Sequence, residues 1–374
     1  MIFDNLCPKV LSPESFFVKD ALHDVADELT QDIRQFPDWL KEAAKYIEAG
    51  NYNSKSVERA FKKVRNNIAG SINTKLLSWN RESCTLVKQE IDITGIIHPS
   101  RERYISIPEF KRLTFFPDEY NFIGKRKEKV ARIGNSIPPG FMRSIAMNIN
   151  NHLFSGQTQS SFPKYMSYLE ILEATWQEHL VPKEENAPTV ISTFAGCGGS
   201  SLGYSMAGFK ELLAIEWNDN AVETFKLNFP DIPVYHGDIA ELSVEKCMEL
   251  AGLMKSGELD VLDGSPPCQG FSTAGKRQMK DTRNTLFHEF TRLLQGLQPK
   301  AFIMENVSGM VKGKMKLIFA DILRELKASG YIVKCWLLNA KYFYVPQSRE
   351  RLFFIGVQED YWQECLKKDS LTSL

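Results

Sequence analysis

The regular alternation of strand-like and helix-like segments after Thr189 is the feature that most constrains how this chain can fold. The strand-like segments are TVISTFAG, KELLAIEW, IPVYHGDI, LDVLDGSPP, KAFIMENV, YIVKCWLLNA and RLFFIGV. Amphipathic helical segments such as NTLFHEFTRLLQGL separate most of them. Strands that alternate with helices build a mostly parallel sheet covered on both faces. The sequence therefore predicts an α/β fold with a mostly parallel, seven-stranded sheet.

The part before Thr189 has a different pattern. Residues 1–80 are predicted to be mostly helical and include a basic helix near 55–66, whereas Ser83 to Phe116 favours short strands and turns. Further helices are predicted at 138–151, where two prolines suit a first turn, and at 165–180. We divide the chain into residues 1–98, 99–151, a bridging segment 152–188, and a main domain 189–374.

Composition limits the class of protein more than its function. The chain has 374 residues, is 43% hydrophobic and carries no formal net charge. The seven cysteines include no CxxC pair, which disfavours a disulfide framework or a cysteine-rich zinc site. We find no signal peptide and no apolar run of the roughly 20 residues that cross a bilayer. We therefore expect a cytoplasmic protein with neither a metal nor a membrane partner.

A glycine-rich turn follows the first predicted strand and opens a helix. Gly196, Gly198 and Gly199 allow a tight turn and a close approach to a ligand. The second strand ends at Glu216, whose carboxylate can accept bonds from ribose hydroxyls, and the third ends near Asp238. Trp217 could stack on a purine. Since no phosphate-binding loop is present, the pattern favours a nucleoside without a polyphosphate, such as S-adenosylmethionine.

Cys268 lies on a stiff loop, SPPCQG, after the fourth predicted strand. An isolated cysteine is usually a small buried hydrophobe, but ligands bind beyond the carboxyl ends of strands in this architecture. Glu305 ends the fifth strand, and Arg349 and Arg351 precede the seventh. A thiol, a carboxyl and a guanidinium at one edge form a nucleophile, an acid and an anion binder.

These motifs resemble those of the DNA (cytosine-5)-methyltransferases. FAGCGG, SPPCQGFS, MENV and QSRER match that family in order and cover most of residues 189–357. The resemblance implies a Rossmann-like S-adenosylmethionine-dependent methyltransferase with a smaller N-terminal domain, acting on double-stranded DNA. It implies cofactor contacts from Phe194, Ala195, Gly196, Gly198, Gly199, Ser201, Leu202, Glu216, Trp217, Asp238, Ile239, Pro266 and Asn135. The family often has Asp where Ser192 stands, so the first strand lacks that carboxylate.

Two further motifs of the family come before the glycine turn instead of after QSRER. RYISIPEFKRLTFFPDEY (103–120) and IGNSIPP (133–139) resemble the last two motifs, so the chain resembles a circularly permuted member. The 138–151 helix should then pack beside the glycine turn. Target recognition would fall to residues 1–98, where Thr85 and Leu86 resemble a Thr-Leu pair, and a second subunit could complete it.

The resemblance implies a covalent mechanism. The Cys268 thiolate adds to C6 of a cytosine that has been flipped out of the duplex, and C5 then accepts the methyl group. Glu305 would hold N3 and the exocyclic amine, while Arg351 would contact the O2 side with help from Arg349. Ser272 and Lys276 are candidates for phosphate contacts on the loop after Cys268.

Three other functions remain open at this level. A tRNA cytosine-5 methyltransferase would use the same Cys268, Glu305 and Arg351, and the substrate assayed would separate the two. An inactive regulatory subunit should have lost one of these residues. An NAD-dependent oxidoreductase shares the glycine turn and strand-end acids but gives SPPCQG and QSRER no role. The lack of extra regulatory domains favours a restriction–modification setting.

Overall fold

The computed structural model describes residues 6, 16–22, 25, 36–88, 95–154, 162–267, 285–313 and 315–372. Its seven-stranded sheet has the order β5-β4-β3-β6-β7-β9-β8. The strands are β3 (Thr189–Thr193), β4 (Lys210–Glu216), β5 (Val234–His236), β6 (Val261–Gly264), β7 (Ala301–Val307), β8 (Tyr331–Asn339) and β9 (Glu350–Gln358), after a short pair, β1 (Lys75–Leu76) and β2 (Ile96–Ile97). Six strands run in one direction and only β9 runs in the other, so the predicted mostly parallel sheet is confirmed.

Helices cover both faces of this sheet. In chain order, the described residues form the helices α1 (Val18–Leu22), α2 (Asp38–Ala44), α3 (Ser54–Arg65), α4 (Ile107–Leu113), α5 (Arg126–Asn135), α6 (Pro139–Leu153), α7 (Tyr168–Leu180), α8 (Gly199–Met206), α9 (Asp219–Asn228), α10 (Val244–Ala251), α11 (Thr285–Leu297), α12 (Met315–Ala328) and α13 (Glu359–Thr372), of which α2 and α3 belong to the N-terminal region. Val190 and Val261 enter one hydrophobic cluster, whereas their neighbours Ile191 and Leu262 enter another. Successive strand residues point to opposite faces, so both faces must be apolar.

The helix predicted beside the glycine turn is α6, which packs directly on α8. A methyl group at Gly203 of α8 would lie 2.7 Å from both Met142 Cβ and the Pro139 carbonyl oxygen. The two helix backbones therefore approach as closely as a glycine allows. This places residues 133–153 against the segment that follows the turn.

The prediction of strands and turns over Ser83–Phe116 is wrong where α4 forms. Ser106 and Glu109 make reciprocal bonds across the helix start, and Pro108 lies in the first turn. This local capping stabilises a helix of only seven residues, too short to show a clear apolar period. The same span does contain β2, which pairs in parallel with β1.

The N-terminal region has a hydrophobic cluster of its own. It comprises Leu40, Ala43, Ala44, Ile47, Val57, Ala60, Phe61, Leu76, Ile97 and Tyr104. The α2 and α3 helices and the short β1–β2 pair supply nearly all of it. In the described residues no helix combines the length and the apolar character that crossing a membrane requires.

Candidate active site

The loop that carries Cys268 leaves the sheet at Gly264, between β3 and β7. A methyl group at Gly264 would lie 2.4 Å from Thr193 Oγ1 and 2.7 Å from the Phe290 ring, so only glycine fits. Asn306, one residue after Glu305, has its amide nitrogen 3.4 Å from the Pro266 carbonyl oxygen. This contact ties the loop to the end of β7. Cys268, Ser272 and Lys276 lie outside the described residues.

Glu305 and Arg351 meet at the carboxyl end of β7. Because β9 runs antiparallel, its first residues lie at this edge, with Arg351 opposite Val307. Arg351 Nε lies 2.7 Å from Glu305 Oε1, and Glu305 is 9% exposed. Burial raises the pKa of Glu305, while the positive charges of Arg351 and Arg349 oppose that rise. Glu305 is therefore a buried carboxyl whose pKa lies above its usual value even with two guanidinium groups nearby.

Arg349 occupies a different environment from the one predicted. Its guanidinium is 1% exposed and donates to the carbonyl oxygens of Leu86, Gly134 and Ser136, at 3.3, 3.1 and 2.9 Å. A side chain used in this way joins three segments and has no open face for a base. Its placement does not support the predicted cytosine contact, and we assign it a positioning role instead.

The three glycines of the turn have different tasks. Gly196 (φ +58°) faces open space, because a methyl group there would meet only the Phe194 carbonyl oxygen at 4.0 Å. Gly198 and Gly199 face protein instead: methyl groups there would lie 2.6 Å from the Phe229 ring and 2.5 Å from the Ile137 carbonyl oxygen. Only Gly196 leaves room for a ligand. Phe194 adopts φ +55°, a costly conformation for an aromatic residue that marks the turn as strained.

Glu216 and Trp217 lie next to Gly196. Glu216 is 8% exposed and accepts bonds from the backbone N–H groups of Gly196, Trp217 and Asn218, at 2.8, 3.0 and 2.9 Å. The carboxylate is thus held in a fixed orientation. Trp217 is 75% exposed, which leaves its ring face open for stacking. This combination fits a nucleoside that bonds through hydroxyl groups and stacks through a purine.

The other predicted cofactor residues differ in accessibility. Asp238 and Asn135 are exposed, and Asp238 accepts a bond from Ala240 N–H at 3.0 Å. Ile239 is 5% exposed and Ala195 9%. Leu202 is fully buried, and Ser201 donates to Glu211 at 3.0 Å, so these two could meet a ligand only through their backbone.

Two buried acids beneath the turn were not predicted. Asp263 on β6 lies beside Ser192 in register and accepts a bond from Tyr204 Oη at 3.2 Å. Burial raises the pKa of Asp263 to about 8 and that of Glu211 on β4 to about 7. A carboxyl therefore stands next to the position where the first strand lacks one. Within the described part of the chain, no three His, Cys, Asp or Glu side chains are grouped as a metal site would require.

Comparisons with known proteins identify the family. The model of the C-5 cytosine-specific DNA methylases matches residues 11–151 and 188–372. The type II methyltransferase M.AquIA of Picosynechococcus sp. is 42% identical over 176 residues, which cover 45% of this chain and 71% of M.AquIA. M.Sau96I of Staphylococcus aureus is 33% identical over 298 residues, covering 79% of this chain and 62% of M.Sau96I.

The other matches cover smaller parts of this chain or of the proteins compared. Matches to six further type II methyltransferases span 39–50% of their lengths. The crystal structure described as a putative DNA modification methyltransferase encoded within an E. coli prophage is 33% identical, covers 46% of this chain and 47% of that one, and gives a TM-score of 0.41. The family match spans most of the present sequence, and the chain belongs to the C-5 cytosine-specific DNA methylase family.

Proposed function

We propose that this chain transfers a methyl group from S-adenosylmethionine to C5 of cytosine within a specific sequence of double-stranded DNA, as a type II modification enzyme. One observation carries the proposal: the buried Glu305–Arg351 pair lies at the sheet edge where the loop leading to Cys268 begins. An acid, a cation and a nucleophile from three neighbouring strand ends can then address one flipped base.

The turn and its neighbours fit the proposed methyl donor. Gly196 leaves open space, Glu216 is fixed beside it, and Trp217 presents an exposed ring. We propose that Glu216 bonds the ribose hydroxyls and that Trp217 stacks on the adenine. S-adenosylmethionine, when bound, supplies an electrophilic methyl group.

Side chains of the protein activate the cytosine ring. Cys268 as the thiolate adds to C6, which makes C5 electron-rich, and C5 then accepts the methyl group. A base removes the C5 proton, and departure of the thiolate restores the ring. Glu305 contacts N3 and the exocyclic amine, and Arg351 contacts O2 while it orients Glu305. C6 is not accessible inside a duplex, so the base must be flipped out at a cost of a few kcal/mol.

We further propose that the chain is a circularly permuted member. Residues 103–139 would stand for the family's last two motifs, and residues 1–98 for its target-recognition region. The packing of α6 on α8, and the position of the Ile137 carbonyl oxygen beside Gly199, support this reading.

The decisive test is transfer of tritiated methyl from S-adenosylmethionine to unmethylated DNA and to tRNA. Wild type, Cys268→Ala and Glu305→Gln would be compared, and the DNA product would be sequenced after bisulfite treatment. We expect methylated cytosine within one short DNA sequence, no transfer by Cys268→Ala, and a 10²–10⁴-fold slower reaction for Glu305→Gln, the usual size of an acid–base contribution.

Other outcomes have definite meanings. Transfer to tRNA alone would contradict the DNA assignment. If the purified chain binds the cofactor but methylates nothing, recognition requires a second subunit. Methylation that survives in Cys268→Ala would exclude the covalent mechanism.

A further inference from the structure

The α3 helix presents a row of exposed cations that form no ion pair within the described part of the chain. It carries five basic residues and one acid, Glu58. Lys55, Arg59 and Lys62 follow one another at the i, i+4, i+7 spacing of a single helix face, and all three are exposed. Within the described residues no carboxylate lies within ion-pair distance of these three. Two nearby lysines, by contrast, do form ion pairs: Lys45 with Glu42 and Lys41 with Glu102.

The opposite face of α3 holds the row in a fixed place. Val57, Ala60 and Phe61 are at most 2% exposed and lie in the N-terminal hydrophobic cluster. Asn53 caps the helix start by accepting a bond from Lys55 N–H at 3.0 Å, and Asn66 ends the helix in the left-handed conformation. The three cations therefore lie on a helix whose backbone is already ordered. Because of this, binding an anion through them costs little backbone entropy.

A chain of hydrogen bonds connects the start of α3 to the candidate active site. Tyr52, three residues before Lys55, donates through its hydroxyl to the Glu82 carbonyl oxygen at 2.7 Å. The next residue, Ser83, donates its N–H to the Pro346 carbonyl oxygen and accepts from Ser348 N–H, both at 2.9 Å. Pro346 precedes Arg351 by five residues. The row is thus tied to the segment that leads into the Glu305–Arg351 pair.

We propose that the row of Lys55, Arg59 and Lys62 binds the phosphate backbone of the DNA duplex whose cytosine enters the active site. The row is about 10 Å long at 1.5 Å per residue, and a duplex presents one charge per about 1.7 Å of its axis, so several phosphates lie within its reach. A net-neutral chain gains no general attraction for DNA, and a local patch must supply it. The proposal rests on the proposed function only in naming duplex DNA as the partner.

The test measures how duplex binding depends on salt. Full-length wild type and a Lys55→Ala/Arg59→Ala/Lys62→Ala triple variant are titrated against a fluorescent duplex of roughly 30 base pairs between about 50 and 300 mM salt. The duplex needs no target sequence, because phosphate contacts do not read bases. We expect the slope of log K against log salt to fall by about 2 to 3, at about 0.9 per lost phosphate contact, and the affinity near 0.1 M salt to fall about tenfold or more.

The matched control replaces three exposed lysines at the opposite edge of the sheet. Lys226, Lys255 and Lys327 precede the amino ends of β5, β6 and β8. Their triple alanine variant removes the same charge, and we expect it to keep the wild-type slope. Thermal unfolding and cofactor binding check that both variants fold; if the alanine variant of α3 does not, a glutamine version is measured in its place.

Each outcome decides the proposal. If the α3 variant and the control variant both keep the wild-type salt slope, the proposal is overturned. It is also overturned if wild type binds no duplex, or binds tRNA more tightly than the duplex when tRNA is titrated under the same conditions. The methyl-transfer assay separates this failure from that of the proposed function. If wild type methylates DNA and the α3 triple variant binds the duplex as wild type does, the proposed function is retained. Only the proposal that α3 binds phosphates is then rejected.

Discussion

At the scale of single residues, the contact between Arg351 and Glu305 opposes the effect of burial on the pKa of the carboxyl. Burial favours the neutral acid, and the guanidinium 2.7 Å away favours the anion. Arg351→Gln removes the opposing charge, so the pKa of Glu305 should rise. If the protonated acid serves N3, the alkaline limb of the kcat/KM profile should move to higher pH. We also expect kcat/KM to fall by about 10²–10³-fold, the usual effect of losing one donor at a reacting group.

Arg351→Lys is the matched control, because it keeps the positive charge but not the planar donor geometry. Its alkaline limb should stay near that of wild type while its kcat/KM falls. If Arg351→Gln lowers kcat/KM at every pH but leaves the alkaline limb where it is in wild type, the guanidinium does not control the protonation of Glu305.

Asp263 gives a second prediction, on stability rather than on rate. Its pKa is raised from 3.8 to about 8 by burial, so the folded state binds its proton more tightly than the unfolded state does. The contribution of this carboxyl to the free energy of unfolding is therefore greatest below about pH 4. It falls by up to about 1.4 kcal/mol per pH unit as the pH rises toward about 8. Asp263→Asn cannot ionise, so it should lose less stability than wild type between pH 6 and 8.5.

Urea unfolding at both pH values measures this difference. Glu211 keeps its own pH dependence in both proteins, so the informative quantity is the difference between the two changes in unfolding free energy. The exposed Asp238→Asn is the control and should follow wild type. Equal losses for Asp263→Asn and wild type would mean that the buried carboxyl is already ionised at pH 6.

At the scale of elements, the close packing of α6 on α8 depends on Gly203. Its replacement by Ala would place a methyl 2.7 Å from Met142 Cβ and from the Pro139 carbonyl oxygen. Because backbone must shift to relieve this contact, we expect unfolding to become easier by about 1–3 kcal/mol, as for other overpacked cores. Cofactor affinity should fall too, since α8 begins at the turn.

Gly309→Ala is the control, because a methyl group there meets nothing within 4 Å. Its urea midpoint should match that of wild type. A Gly203→Ala protein with an unchanged midpoint would show that α6 and α8 separate at little cost and that their contact does not hold the turn.

Elements with a strong period could be predicted from the sequence, and those defined by local capping or by tertiary contact could not. The seven strands and the α6 and α7 helices carry clear patterns. The α4 helix depends on the Ser106–Glu109 capping box instead. Arg349 and Arg351 look alike in QSRER, yet one bonds backbone carbonyls and the other a carboxylate. Asp263 becomes a neighbour of Ser192 only through the pairing of β3 with β6, which no motif reveals.

At the scale of the whole molecule, the main core does not follow the divisions made along the chain. One hydrophobic cluster includes Phe110 and Phe141 from the first half together with Tyr204 and Phe353 from the second. Arg349, the residue before β9, adds polar bonds to the carbonyl oxygens of residues 86, 134 and 136. Residues 99–151 are therefore part of the structure that supports the methyltransferase sheet.

This shared core predicts how the chain responds to being cut. Fragment 1–158 and fragment 159–374, divided at a site outside the described residues, should each fail to unfold cooperatively, because each exposes the apolar face that the other covers. Expressed together, they should co-purify and bind S-adenosylmethionine. Calorimetry on each fragment and on the pair measures this. A fragment 159–374 that alone unfolds cooperatively and binds the cofactor as the intact chain does would show that the sheet needs nothing from residues 99–151, which would remove the structural support for a permuted order.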